Sequence, residues 1–97
     1  MEIINFKNWL YSLNISTKVC SDIICRLQKI EKILIYSTLE TTLDAEFELD
    51  QCERILKIFS HENYYKKLKI SPHTLSKKSL PSYKYSINKY IKYEKMT

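Results

Sequence analysis

Three cysteines (Cys20, Cys25, Cys52) and two histidines (His61, His73) are the side chains of this 97-residue chain best suited to a metal or a nucleophilic reaction. A zinc site commonly draws on ligands with about two to four residues between them, and only Cys20 and Cys25, with four between, reach that spacing. Cys20 and Cys25 would point about 140° apart on a helix. Cys20 and Cys52 sit on or beside apolar faces, where cysteine acts as a small core residue. Cys25 falls on a polar face as a free thiol. Both histidines lie in connections, so pairing either with Cys25 or a serine is not dictated by spacing. Glu46, Glu48, Asp50 and Glu53 are the acids that paired-carboxylate chemistry would need. The positive end of a helix attracts such acids equally well. Glycine is absent altogether, which removes the phosphate-cradling loop, the dinucleotide fingerprint and the nucleophile elbow. The expectation is a protein that is not an enzyme, with no metal and no cofactor.

Lysine and tyrosine offer a different chemistry. The 14 lysines and two arginines exceed the 11 acids, for a net charge of +5. The distribution is uneven: residues 1–62 carry seven bases and ten acids, whereas residues 63–97 carry nine lysines against Glu94 alone. Residues 40–53 hold Glu40, Asp44, Glu46, Glu48, Asp50 and Glu53 with no base before Arg54. Segregated charge of this kind suits a polyanion at the basic end and leaves an acidic patch elsewhere. Tyrosines alternate with the lysines at Tyr64-Tyr65-Lys66-Lys67 and again from Tyr83 to Tyr93. Lysines neutralise phosphates, and tyrosines add hydroxyl donors or stacking faces. The competing explanation is a solubilising surface coded by an AT-rich genome, with the tyrosines in the core and their hydroxyls wet.

Those residues need elements to hold them. Ile3, Phe6, Trp9, Leu10 and Leu13 share one face of a short helix over 3–13, which buries Trp9 and stops at Asn14. Ser16 caps a second helix over 17–34, whose inner quadrant is Val19, Ile23, Leu27, Ile30 and Leu34. Residues 35–43 are β-branched and form an irregular connection. A third helix spans 45–60 with Ala45, Leu49, Cys52, Ile55, Leu56 and Phe59 inward and Phe47 and Ile58 outward. A brief helix holds Tyr64, Tyr65 and Leu68, and residues 70–81 form a loop. Ser82 caps a last helix over 83–95, with Tyr83, Ile87, Tyr90 and Ile91 on one side. Lys84, Asn88, Lys92 and Lys95 lie opposite, with Tyr85 and Lys89 beside them. The fold class is all-α: a single domain over 1–97, a compact four- to five-helix bundle with an acidic patch at 40–53 and a basic third at 63–97. No run of about 18 apolar residues offers a membrane span. The first residues lack the basic and apolar regions of a signal peptide. An odd number of cysteines favours a cytoplasmic location.

Phe6-x-x-Trp9-Leu10, followed by Asn14-Ile15-Ser16-x-x-Val19 and then Ile23 and Leu27, resembles the start of the SAM-like core-binding domain of tyrosine recombinases, the phage integrases. The run Ser82-Tyr-Lys-Tyr-Ser-Ile-Asn-Lys-Tyr-Ile-Lys-Tyr is similar to the last helix of such domains. The likeness covers nearly the whole chain and rests mainly on hydrophobic spacing. It implies a helical module that clamps duplex DNA beside a catalytic domain. The family's catalytic Arg–Lys–His–Arg–Tyr set has no counterpart here, Val19 replaces the usual Thr, and Arg is scarce where the DNA face is expected.

The first functional expectation is therefore a non-enzymatic nucleic-acid-binding module, with duplex DNA or another nucleic acid as partner. Lys77, Lys78, Lys84, Tyr85, Lys89 and Lys92 are the contacts expected. The alternative is a phage or mobile-element inhibitor of a host nucleic-acid enzyme, such as a CRISPR effector. In that anti-CRISPR-like case Glu46, Glu48 and Asp50 would mimic phosphates. A third is a homodimeric structural module joined through Phe47, Ile58 and surface tyrosines.

Overall fold

A computed structural model of the chain describes residues 3–36, 39–60 and 80–96. Those residues form five α-helices and no strand: α1 (Ile3–Ser12), α2 (Thr17–Ile35), α3 (Leu43–Asp50), α4 (Glu53–Ser60) and α5 (Leu80–Met96). The all-α bundle expected from the periodicity is the fold observed. The brief helix at Tyr64–Leu68 and most of the 70–81 loop fall outside the described residues, as do Lys77 and Lys78. None of the described helices is long and apolar enough to cross a membrane.

The joint between α1 and α2 follows its residue types closely. Asn14 takes the left-handed conformation with φ 61°, which asparagine tolerates better than most residues. Two residues on, the Ser16 hydroxyl accepts the Val19 amide at 3.3 Å and so caps α2. Phe6 and Leu10 carry the buried face of α1. Val19 departs from expectation: it is 38% exposed, and Cys20 is the first buried residue of α2. Cys20, Ile23, Ile24, Leu27, Ile30, Ile33 and Leu34 form the buried arc. That arc is broader than one quadrant because α2 packs against α1, α3 and α5 together.

The expected helix over 45–60 is two helices. Gln51 and Cys52 both adopt left-handed backbone, with φ 57° and 65°, and end α3. The reversed chain is tied by Gln51 N donating to Phe47 O at 2.9 Å and Cys52 N donating to Glu46 O at 3.2 Å. Cys52 tucks inward, its thiol 3.7 Å from the Leu43 carbonyl that accepts from it. The break resets the phase of the buried face. Leu43 and Glu46 point in from α3, while Ala45 and Leu49, expected inside, are exposed; Leu49 is 65% exposed. Ile55 and Phe59 are buried on α4 as the spacing predicts. Phe47 and Ile58, expected on an outer face, pack half-buried against the core.

Helix α5 starts three residues earlier than expected, at Leu80 rather than Tyr83. Pro81 stands in its first turn, where a missing N–H leaves no intrahelical bond unmade. Ser82 is thus inside the helix and is not its cap; its carbonyl accepts the Ser86 hydroxyl at 3.0 Å. Leu80, Tyr83, Ser86, Ile87, Tyr90 and Ile91 are buried.

Aromatic contacts fasten α5 to three other helices. Tyr93 meets Phe6 and Trp9 of α1 at ring-centroid distances of 5.2 and 5.6 Å. Tyr90 meets Phe47 of α3 at 6.4 Å, and Tyr83 meets Phe59 of α4 at 6.4 Å. Trp9 is only half-buried, since its indole reaches the rim of the core, where Nε1 lies 3.2 Å from Met96 Sδ. With so many anchors on one side, the opposite side of α5 is held in a fixed orientation.

Candidate nucleic-acid interface

The outward side of α5 carries the lysines. Lys84, Tyr85, Asn88, Lys92 and Lys95 are exposed and Lys89 is half-exposed. At about 100° per residue all six fall within an arc of about 140°, and the buried residues occupy the remainder. Lys89 Nζ stands 5.5 Å from the centroid of the Tyr85 ring, a cation–π contact that orients both side chains. Tyr85 is 46% exposed even so. Glu94, the one acid of residues 63–97, lies off this arc and near Asp44. Partial burial, and then the charge of Asp44, push its carboxyl above the ordinary range. The lysine face therefore has no acid within it. Of the six expected contacts, Lys84, Tyr85, Lys89 and Lys92 are brought together on this helix.

The three acids expected to act as one patch separate. Glu46 is buried, with 1% of its surface exposed. Both carboxylate oxygens accept from Arg54, Oε1 from Nε and Oε2 from Nη2, each at 2.8 Å. The Thr41 hydroxyl donates to Oε2 at 3.2 Å. The hydrogen bond to Glu46, despite some desolvation, raises the Arg54 guanidinium further above its ordinary value. Glu46 thus faces inward and is spent on holding α3 to α4. Asp50 is half-buried, and its Oδ2 accepts the Arg54 backbone amide at 3.0 Å at the start of α4. Only Glu48 of the three stands exposed.

Asp44 and Tyr90 form a contact that spacing alone did not reveal. The Tyr90 hydroxyl, expected to be wet, donates to Asp44 Oδ1 across 46 positions of sequence. Burial and this bond hold the Tyr90 phenol far above its ordinary value. For Asp44, burial is the largest single effect and works against the charge, but the bond from Tyr90 together with the other favourable interactions leaves the carboxyl below its ordinary range. Sequence offered one weak signal, a tyrosine on the inner face of a helix that needs a polar partner for its hydroxyl.

Cys20 and Cys52 are buried and Cys25 is exposed, all three as free thiols. Burial, followed by the nearby charge of Glu46, pushes the Cys52 thiol up to about 12, so it stays protonated at neutral pH. Among the described residues no cluster of three or more His, Cys, Asp or Glu could hold a metal ion. The open groove of about 490 Å³ bounded by Ile3, Gln28, Glu31, Lys32, Thr42 and Asp44 lies away from the lysine arc. No family model matches the chain, and no curated protein and no solved structure matches it either.

Proposed function

We propose that the protein binds nucleic acid without catalysis, gripping the phosphate backbone of duplex DNA through the lysine face of α5. The observation that carries this reading is the acid-free arc of Lys84, Lys89, Lys92 and Lys95 on a helix whose other side is locked into the core. Each lysine set against a phosphate releases condensed counterions, so affinity comes mainly from electrostatics and falls steeply with salt. Because the helix is anchored through Tyr83, Tyr90 and Tyr93, little backbone ordering is required on binding. Tyr85, steadied under Lys89, supplies a further hydroxyl or ring contact. Lys77 and Lys78 belong to the same reading on sequence grounds.

The likeness to the core-binding domain of phage integrases agrees with this proposal, since such a module grips DNA and leaves chemistry to another domain. A cytoplasmic location fits three free cysteines. The alternative, an inhibitor that docks on a host nucleic-acid enzyme through phosphate-mimicking acids, is less well supported because Glu46 is committed to Arg54. The homodimer reading loses ground as well, since Phe47 and Ile58 pack against the chain's own core. Fluorescence anisotropy with a labelled duplex at about 50 mM salt tests the proposal. Binding that weakens with added salt supports it, and absence of binding under those conditions removes it.

A further inference from the structure

The arc on α5 is not uniformly cationic. Asn88 lies within it, one turn after Lys84 and one turn before Lys92, and is exposed. Taking about 100° per residue, Lys84 and Lys95 mark one edge of the arc and Lys89 the other; Lys92 lies about 10° from its middle, with Asn88 and Tyr85 roughly 30° to either side. A helix with its side chains is about 10–12 Å across, and the major groove of B-DNA is about 12 Å wide. In that groove, side chains at the edges of the exposed arc meet the phosphates of the two strands. Side chains near its middle meet base edges. Lysine at an edge is a point charge that does not distinguish sequences. A carboxamide near the middle is different, because it offers one donor and one acceptor in a single plane. Adenine presents the complementary pair in the major groove, the N7 acceptor beside the N6 amino donor.

We propose that Asn88 reads an adenine in the major groove of duplex DNA, so that binding by α5 carries a sequence preference as well as backbone affinity. This rests on the lysine face being the DNA-binding surface. The bond is made by the Asn88 Nδ2 donating to adenine N7 and the adenine N6 amino group donating to Asn88 Oδ1. No other side chain on the arc offers this planar pair, since Tyr85 has a single hydroxyl and the rest are lysines, Pro81 and Met96.

The test is selection of the full chain against a pool of randomised duplexes, run in parallel with Asn88→Ala. The wild type should enrich sequences sharing one fixed adenine. Replacing that adenine by 7-deazaadenine, which removes only the N7 acceptor, should weaken wild-type binding. Loss of the adenine should cost about 5- to 150-fold in affinity for the wild type and almost nothing for Asn88→Ala. The salt dependence should be the same for both proteins, because no phosphate contact is lost. Asn88 is exposed, so an unchanged melting temperature confirms that the variant is folded. A wild type that binds all duplexes alike with a steep salt dependence would overturn the base reading and leave the backbone reading standing. Retention of the same motif by Asn88→Ala, or preference for single strands over duplex, would overturn it too. Failure of the wild type to bind any duplex would remove both.

Discussion

Glu46 and Arg54 clasp one another across the break between α3 and α4, with both carboxylate oxygens engaged at 2.8 Å. The carboxylate is buried, but the arginine side chain keeps 44% of its surface in solvent. The pair is therefore asymmetric: the cation can be rehydrated if the bond is lost, and the anion cannot. This clasp keeps the acidic segment folded onto the bundle and removes Glu46 from the protein's outer surface.

Arg54→Met should destabilise the protein by about 2–3 kcal/mol. That is below the roughly 3–5 kcal/mol seen when one member of a fully buried pair is removed, because water reaches the site from the arginine side. Urea denaturation would measure it as a lower midpoint with an unchanged slope. A change under about 0.5 kcal/mol, the range of surface pairs, would mean that Glu46 is not held as described.

The break itself has a signature of opposite sign to a continuous helix. Gln51 sits at φ 57°, where a side chain costs roughly 1–2 kcal/mol that glycine does not incur. Gln51→Gly should be neutral or stabilise by up to about 1 kcal/mol after the entropy of the unfolded chain is counted. Within an uninterrupted helix the same change would cost about 1 kcal/mol. Thermal unfolding decides between the two by the direction of the shift.

Much of the architecture is legible in the sequence, and the failures are local. Four-residue apolar steps identify α2 and the inner face of α5, and Asn14 and Ser16 mark the turn between α1 and α2 correctly. The reversal within residues 43–60 is not legible in the sequence, because the segment contains no glycine or proline to announce it. Gln51 and Cys52 take left-handed backbone without any residue type that prefers it, so the phase of Ala45 and Leu49 could not be read. The start of α5 is obscured for the converse reason: Pro81 reads as a boundary but is admissible in a first turn. At the candidate interface, Lys84, Tyr85, Lys89 and Lys92 follow from periodicity alone. The inward turn of Glu46 does not, since it depends on Arg54 across the break. The same holds for Asp44 with Tyr90, two residues that only tertiary packing brings together.

Three carboxylates shape the dependence of stability on pH. Burial raises Glu31 and Glu94 above their ordinary value of 4.5, so each destabilises the fold when ionised. Their contribution is fully favourable below that value and is lost as pH rises through their folded values. Asp44 is depressed below its ordinary value of 3.8; its contribution is present above that value and is lost as pH falls through the folded one. From neutrality toward pH near 4.5 these two glutamates should raise stability slightly, and in stronger acid the loss of Asp44 should lower it. Glu31→Gln with Glu94→Gln should flatten the first limb, and Asp44→Asn the second, in melting curves recorded across the range. A first limb that survives the double replacement would assign it to other groups.

The most direct measurement is the salt dependence of duplex binding for three proteins side by side. These are the wild type, the Lys84→Ala, Lys89→Ala, Lys92→Ala triple and the Glu46→Gln, Glu48→Gln, Asp50→Gln triple. With about three to five lysines engaged, the wild-type slope of log affinity against log salt should be about −3 to −4.5. Removing the three lysines should flatten it by up to about 3 and weaken binding to every sequence. The acid triple, checked for folding because Glu46 is buried, should bind as tightly as the wild type or slightly more so. A lysine triple that binds with the wild-type slope, or an acid triple that alone abolishes function, would contradict the assignment of the interface to α5.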